Sequence, residues 1–194
     1  ANQFEWEVTV IKDDKTMNAF ALPGGKIAVY TGIFPVAKTE AGLAAVMGHE
    51  VVHALARHGG ERMSQNTLAQ TTLQAIGIAL GVSGANPVVS QGAMAALGVG
   101  AQVGVLLPFS RKHESEADYV GVLLAADAGY DPRESIQLWT RMGELSGGKS
   151  ASEFMSTHPS HETRIEQLEE WMSEAMPIYQ SKPPAPNHEL PALR

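Results

Sequence analysis

His49-Glu50-Val51-Val52-His53 is the stretch whose reading decides the fold. Its flanks, Ala41-Gly42-Leu43-Ala44-Ala45-Val46-Met47-Gly48 and Ala54-Leu55-Ala56, are small or apolar, and Thr39-Glu40 supplies a cap and an acidic first turn. That pattern predicts a buried helix running to about His58, stopped by Gly59-Gly60. Residues four apart on a helix share a face, with Cβ atoms about 5–6 Å apart. Two imidazoles so placed reach one Zn2+ at about 2.0–2.1 Å per nitrogen. A helix this apolar does not bury His, Glu and His without partners for their polar groups. Glu50 stands beside the first ligand, positioned to take a proton from a water whose pKa zinc lowers to about 7. The expected chemistry is attack on a peptide carbonyl.

Composition narrows the alternatives. A chain of 194 residues can bury a real core, and the expected division is a catalytic domain over 1–176 with a Pro-rich tail or linker over 177–194, leaving room for another domain after residue 194. A net charge of −7 argues against a nucleic-acid partner. With no cysteine there is neither a thiolate zinc site nor a disulfide. The chain opens Ala1-Asn2-Gln3 with neither Met nor signal peptide, which is expected of a processed start.

Phe4–Lys12 alternates as a half-buried strand does, Asp13-Asp14-Lys15 reads as a turn, and Met17–Leu22 and Lys26–Thr31 read as two further strands joined by Pro23-Gly24-Gly25. The expected fold is α+β and mostly α, with a small antiparallel sheet before the metal helix. Apolar spacing predicts helices near 61–80, 90–107, 111–128, 132–146 and 160–176. Residues 73–107 are rich in Ala, Gly, Val and Leu, but their uninterrupted runs fall short of the roughly 20 residues that span a bilayer. A close-packed helical hairpin with small residues at its contacts is expected, with an apolar surface able to touch a membrane or a partner.

A catalytic zinc takes three protein ligands and keeps one open position. The densest cluster of further ligand types is Ser110-Arg111-Lys112-His113-Glu114-Ser115-Glu116-Ala117-Asp118. Glu114, Ala117, Gly121 and Leu124 share one helical stripe, and Asp118 lies a turn after Glu114. Glu114 is therefore the candidate third ligand and Asp118 the acceptor for a ligand imidazole's second N–H. His113 and Glu116 are expected to face solvent, although periodicity alone does not separate Glu114 from Glu116. His58 and His188 read as structural or solvated, His161 as a first-turn surface residue, and Trp6, Trp139 and Trp171 as packing.

His49–His58 (HEVVHALARH) and Ser110–Asp118 (SRKHESEAD), with Thr157–Ile165 (THPSHETRI) and Asn18–Gly25 (NAFALPGG), resemble metallopeptidase family 48, the gluzincins of the CAAX prenyl endopeptidase, HtpX and Oma type. The four elements stand in the family's order across about residues 4–170. The resemblance implies one zinc per chain held by His49, His53 and Glu114, with Glu50 as base and Asp118 behind a ligand. It implies catalytic roles for His158 and Arg164, and a place for Asn18 beside the substrate strand. His158 has two readings: donor to the oxyanion, or a plug in zinc's fourth position. The long separation of Glu114 from His53 is an insertion supplied by residues 61–109. The branch resembled is the soluble, periplasmic BepA-like one. That implies a protein or peptide substrate, quality control of unfolded or mislocalised proteins, a bacterial-envelope location and peripheral membrane association. A chaperone-like binding module with a plugged zinc site is the alternative.

Overall fold

The computed structural model describes residues 4–84, 86–102, 106–146, 158 and 163–193. The chain forms two compact units, one from the residues up to Arg57 together with those from Glu114 onward, the other from His58–His113.

The first unit opens with β1 (Glu7–Ile11), β2 (Ala19–Leu22) and β3 (Lys26–Tyr30), followed by a 3-10 turn at Thr31–Ile33 and the short α1 (Phe34–Ala37). The fold is α+β and mostly helical, as expected. The sheet is not wholly antiparallel, however: its order is β1-β3-β2, with β2 antiparallel and β1 parallel to the central β3. The cause lies in the Asp13-Asp14-Lys15 turn, which closes no hairpin. It is tied to the far end of β3, where Asp13 N–H donates to Thr31 Oγ1 at 3.0 Å, Thr31 donates to Asp14 at 2.5 Å, and Gly32 N–H donates to Asp13 O. Alternation reveals a strand but not its direction. Nor is β1 half-buried, for Val8 and Val10 remain more than half exposed.

The helix α2 (Glu40–Leu55), which carries His49, Glu50 and His53, packs against β2 and against α6 (Arg133–Ser146). Around it Val29, Ile33, Val36, Val46, Val122, Leu138, Met142 and Leu168 are fully enclosed. Each such side chain contributes on the order of 1.5–3 kcal/mol. Gly59-Gly60 does not end this helix. The break is Arg57, whose φ of +58° leaves the helical basin, and α3 (His58–Val82) starts at once and runs through both glycines.

The helix α5 (Leu107–Asp127) crosses α2 backbone to backbone at Gly48 and Gly121. A Cβ on Gly121 would lie 2.8 Å from the His49 nitrogen, and one on Gly48 would lie 2.6 Å from the Gly121 oxygen. Only glycines permit this approach, and it sets α5 directly against the first metal-ligand candidate.

The tail differs from expectation. The last helix, α7 (Arg164–Gln180), continues past Pro177, and the residues after it are not a loose linker. They strap the start of α2. The first N–H groups of any helix lack intrahelical acceptors. Here Glu40 N–H donates to His188 O, Ala41 N–H to Asn187 Oδ1 at 2.9 Å, and Gly42 N–H to Thr39 Oγ1. Leu190 N–H returns a bond to Lys38 O at 2.8 Å, and Ala185 N–H to Gly129 O at 2.9 Å. Prolines suit this extended backbone while excluding helix.

In the second unit α3 packs against α4 (Pro87–Ala101) as a hairpin, with α4 capped by Asn86 Oδ1 on Val88 N–H. The expected packing on small residues is largely absent: a Cβ at Gly81, Gly92, Gly98 or Gly100 would touch nothing within 4 Å, and no residue of α4 is buried. Among the described residues no helix is long and apolar enough to cross a membrane. His58 and His113 are both buried, their rings stacked at 4.2 Å, and Glu61 pairs with His113 at 3.1 Å. His113 thus does not face solvent as expected, because apolar periodicity takes no account of stacked imidazoles.

Candidate metal centre

The i, i+4 spacing on α2 brings the Nε2 atoms of His49 and His53 to 3.0 Å from one another. Across the Gly48–Gly121 contact, the Glu114 carboxylate lies 3.4 Å from His49 Nε2 through Oε2 and 3.6 Å from His53 Nε2 through Oε1. Glu114 is fully enclosed, whereas Glu116 is exposed, which separates the two carboxylates that periodicity left open.

The two carboxylate distances are those of a coordination shell, and the imidazole pair stands somewhat closer. Bonds of about 2.0–2.2 Å at tetrahedral angles put ligand atoms about 3.3–3.6 Å apart. The His49 Nδ1–H donates to Asp118 Oδ1 at 2.9 Å, so the lone pair of Nε2 is turned toward the cluster. Charge makes the same case. Glu50, Glu114 and Asp118 are all buried, and the buried Arg164 guanidinium pairs with Glu114 and Asp118. A dication would supply the missing positive charge. Burial opposes charging of His49, but its bonds to Asp118 and Glu114 outweigh that and push it up to about 10. The Glu114 carboxyl is held far below the usual range, since contacts with His158 and His49 overcome its burial. Glu50 goes the other way, because its burial exceeds the pull of the neighbouring imidazoles and of the Ala21 N–H.

His158 joins this cluster. Its Nδ1 is 3.1 Å from both Glu114 Oε2 and His49 Nε2, and its Nε2 is 3.3 Å from Glu50 Oε1. Together with His49, His53 and Glu114 it forms a group whose ligand atoms all lie within 4.8 Å of one another. Arg164, at the start of α7, reaches Glu114 Oε2 at 3.2 Å and Asp118 Oδ2 at 2.6 Å. Its guanidinium lies 3.7 Å over the ring of Trp139, a cation–π contact that fixes its plane. Sequence reasoning treated Trp139 as packing; nothing in the spacing of α6 marks it as the partner of an arginine on α7.

Asn18 lies outside the ligand cluster. It is buried just before β2, and its Oδ1 accepts from the Ala19 N–H at 2.9 Å, so its amide is turned along its own strand. β2 is an outer strand of the three-stranded sheet, and the Ala21 N–H on it acts on Glu50. His161 lies outside the described residues, as do the residues either side of His158. His188 belongs to the tail strap, with Nδ1 3.0 Å from Glu40.

Comparison with known proteins places this geometry. The model of peptidase family M48 matches residues 1–172. The mitochondrial metalloendopeptidase OMA1 of Schizosaccharomyces pombe is 42% identical over 176 residues, 90% of this chain and 49% of that protein. OMA1 of Arabidopsis thaliana is 42% identical over 179 residues, 90% of this chain and 33% of its own length. A putative beta-barrel assembly-enhancing protease of Vibrio cholerae is 33% identical over 154 residues, 78% of this chain and 32% of its own length. The chain therefore spans about half the length, or less, of these curated relatives. The expected bacterial-envelope location is overturned, since the relatives of higher identity are mitochondrial by name and the bacterial one is more distant. Motif order had matched the family without distinguishing its branches. With the match running over residues 1–172 and identities reaching 42%, the chain belongs to peptidase family M48.

Proposed function

We propose that this chain is a zinc-dependent endopeptidase acting on extended segments of unfolded polypeptide. The observation that carries the reading is the triangle of His49, His53 and Glu114 atoms at 3.0–3.6 Å with Glu50 enclosed beside it. Zinc held by those three side chains would supply a Lewis acid for the attacking water and the scissile carbonyl. Glu50 is the base: burial raises its proton affinity, so it takes a proton from the attacking water and returns it to the departing amine. Asp118 keeps His49 in one tautomer and orientation. Arg164, flattened on Trp139, balances the Glu114 and Asp118 carboxylates and limits how far either can turn. An extended substrate adds to the outer edge of β2, held by main-chain hydrogen bonds with little dependence on sequence. The substrates that fit are segments without their own secondary structure, as in protein quality control.

The test is hydrolysis of casein by the chain with and without a zinc chelator, alongside Glu50→Gln. Activity should vanish with chelation and return with zinc, and the variant should retain zinc while losing about 10²–10⁴-fold in rate. Near-normal turnover in the variant refutes Glu50 as base. One observation favours a second reading, a resting enzyme plugged by its own side chain: His158 Nδ1 stands 3.1 Å from His49 Nε2, where a fourth ligand would be. On that reading peptide binding continues while cleavage waits for His158 to leave.

A further inference from the structure

The strand β1 has no part in the peptidase chemistry. In the order β1-β3-β2 it is one edge of the sheet, opposite the β2 edge, and among the described residues no strand lies on its outer side. All of its residues except Ile11 are exposed. We propose that two copies of this chain pair through β1, antiparallel, about a two-fold axis at Thr9.

The apolar side chains of this segment share a face. Phe4, Trp6, Val8 and Val10 alternate with Glu5, Glu7, Thr9 and Ile11. Val8 and Val10 stand beside Ile27 and Val29 of β3, so they lie on the sheet face that the core covers. That cover stops at β3. Ile27 and Val29 are 3% and 1% exposed, whereas Val8 and Val10 are 52% and 56% exposed and Trp6 is 39% exposed. The stripe is ordered all the same: Phe4 stacks on Trp6 at 5.2 Å, and both pack against Gly25.

The main chain says what kind of group fits. Glu7 N–H donates to Gly25 O at 3.0 Å, on the β3 side. Alternate residues of a parallel strand turn both main-chain groups to the same neighbour, so those of Glu7, Thr9 and Ile11 face β3 and those of Val8 and Val10 face outward. Such an edge is a template for another strand, which proteins commonly blunt with Pro or Lys. Glu7–Ile11 contains neither. A helix laid on the stripe would leave the outward groups to water; a strand bonds to them.

Self-complementarity selects a second copy as that strand. With Thr9 opposite Thr9, each Val8 lies opposite a Val10 and exchanges both hydrogen bonds with it, and the valines of the two copies close over the bare part of the face. Lys12, exposed just past the strand, comes opposite Trp6 of the second copy and between its Glu5 and Glu7. Parallel pairing would set Glu against Glu. Asp13 falls near Glu5 of the second copy, but its carboxylate is engaged by the Lys15 N–H and the Thr16 hydroxyl. Lys26 bonds its own Glu7 at 3.0 Å and reaches Glu5 at 4.0 Å, which offsets the acidic groups along the seam. The two-fold axis closes the contact, consuming this edge in both copies and leaving the β2 edges open. A strand of 5 residues a side is small against the about 800 Å² per partner of a stable complex, so the dimer is a reversible one.

The chain has no cysteine, so a single introduced one reports the register. Sedimentation equilibrium of the zinc-loaded full chain should show a reversible monomer–dimer equilibrium between about 1 and 500 μM. Thr9→Cys, oxidised with diamide, should give a disulfide-linked dimer, because opposite Cα atoms at such a site are about 4.5 Å apart. Glu7→Cys would lie about 13 Å from its counterpart and should cross-link at least about tenfold less. Val8→Lys with Val10→Lys should weaken association by at least about tenfold. Both side chains are exposed, so circular dichroism and zinc content should stay as in wild type. A monomer throughout the range overturns the proposal, as does a dimer that the lysines leave intact. Cross-linking of Thr9→Cys no greater than that of Glu7→Cys also overturns it, by assigning the contact to another surface or register.

Discussion

Gly121→Ala tests the geometry that joins the two helices carrying the candidate metal ligands. The added methyl would lie 2.8 Å from the His49 nitrogen, 3.0 Å from the Gly48 carbonyl carbon and 3.1 Å from the His49 Cα. All three are main-chain atoms, so no side chain can swing aside. Ordinary carbon contacts begin near about 3.5 Å, and α2 and α5 must part by roughly half an ångström. Overpacking of this kind costs about 1–3 kcal/mol. It would lower the melting temperature by about 2–4 °C per kcal/mol in a chain of this size. The effect on metal should be larger. Ligand positions tolerate about 0.2 Å, and the methyl lies against the very residue whose Nε2 must meet the Glu114 carboxylate. Zinc affinity should fall by about 10–100-fold, read by competition with a chelating dye. Gly143→Ala is the control: it is also helical, a Cβ there meets nothing within 4 Å, and it should stabilise by about 0.5–1 kcal/mol without touching zinc. Zinc affinity and melting temperature both at wild-type values in Gly121→Ala would refute the argument that the glycine contact sets the ligand geometry.

Glu114→Gln should lose zinc while the exposed Glu116→Gln keeps it; equal loss in the two by metal analysis contradicts the ligand assignment. His158→Ala should slow casein cleavage if the imidazole serves the oxyanion and speed it if it plugs the fourth position, and an unchanged rate across pH eliminates both roles. The tail strap should weaken in acid. The His188 N–H and imidazole together hold Glu40 below its ordinary value of 4.5, against its desolvation, so the carboxylate's contribution is complete above that value and disappears as pH falls through the lowered one. Amide exchange at Leu190 should therefore accelerate below about pH 4.5 in wild type, whereas Glu40→Gln should show no such step.

The approach of His49 and His53 was legible because residues four apart on a helix share a face. The choice of Glu114 over Glu116 was not, since both sit in the same polar cluster and the choice depends on which side of α5 meets α2. Gly121 decides that, through a contact with Gly48 on a helix distant in sequence. Arg164 was legible as a family position and Trp139 only as bulk, because a guanidinium stacked on an indole leaves no periodic trace. The strands were readable in place but not in direction, as the Asp13 turn is fixed by Thr31 and Gly32 at the end of β3. The proline-rich end read as a linker because its role is carried by main-chain atoms, which composition does not report.

That strap has a consequence for the order of assembly. Two of the three acceptors at the start of the helix bearing His49 and Glu50 come from Asn187 and His188, the first of them 146 residues away along the chain. Until residues 187 and 188 are in place, the Glu40 and Ala41 N–H groups lack these acceptors, and Thr39 alone caps the turn. Loop closure over such a distance is slow to find but adds little further entropy per residue. The first turn of that helix is thus completed by residues near the far end of the described chain, which makes its closure one of the long-range steps of folding.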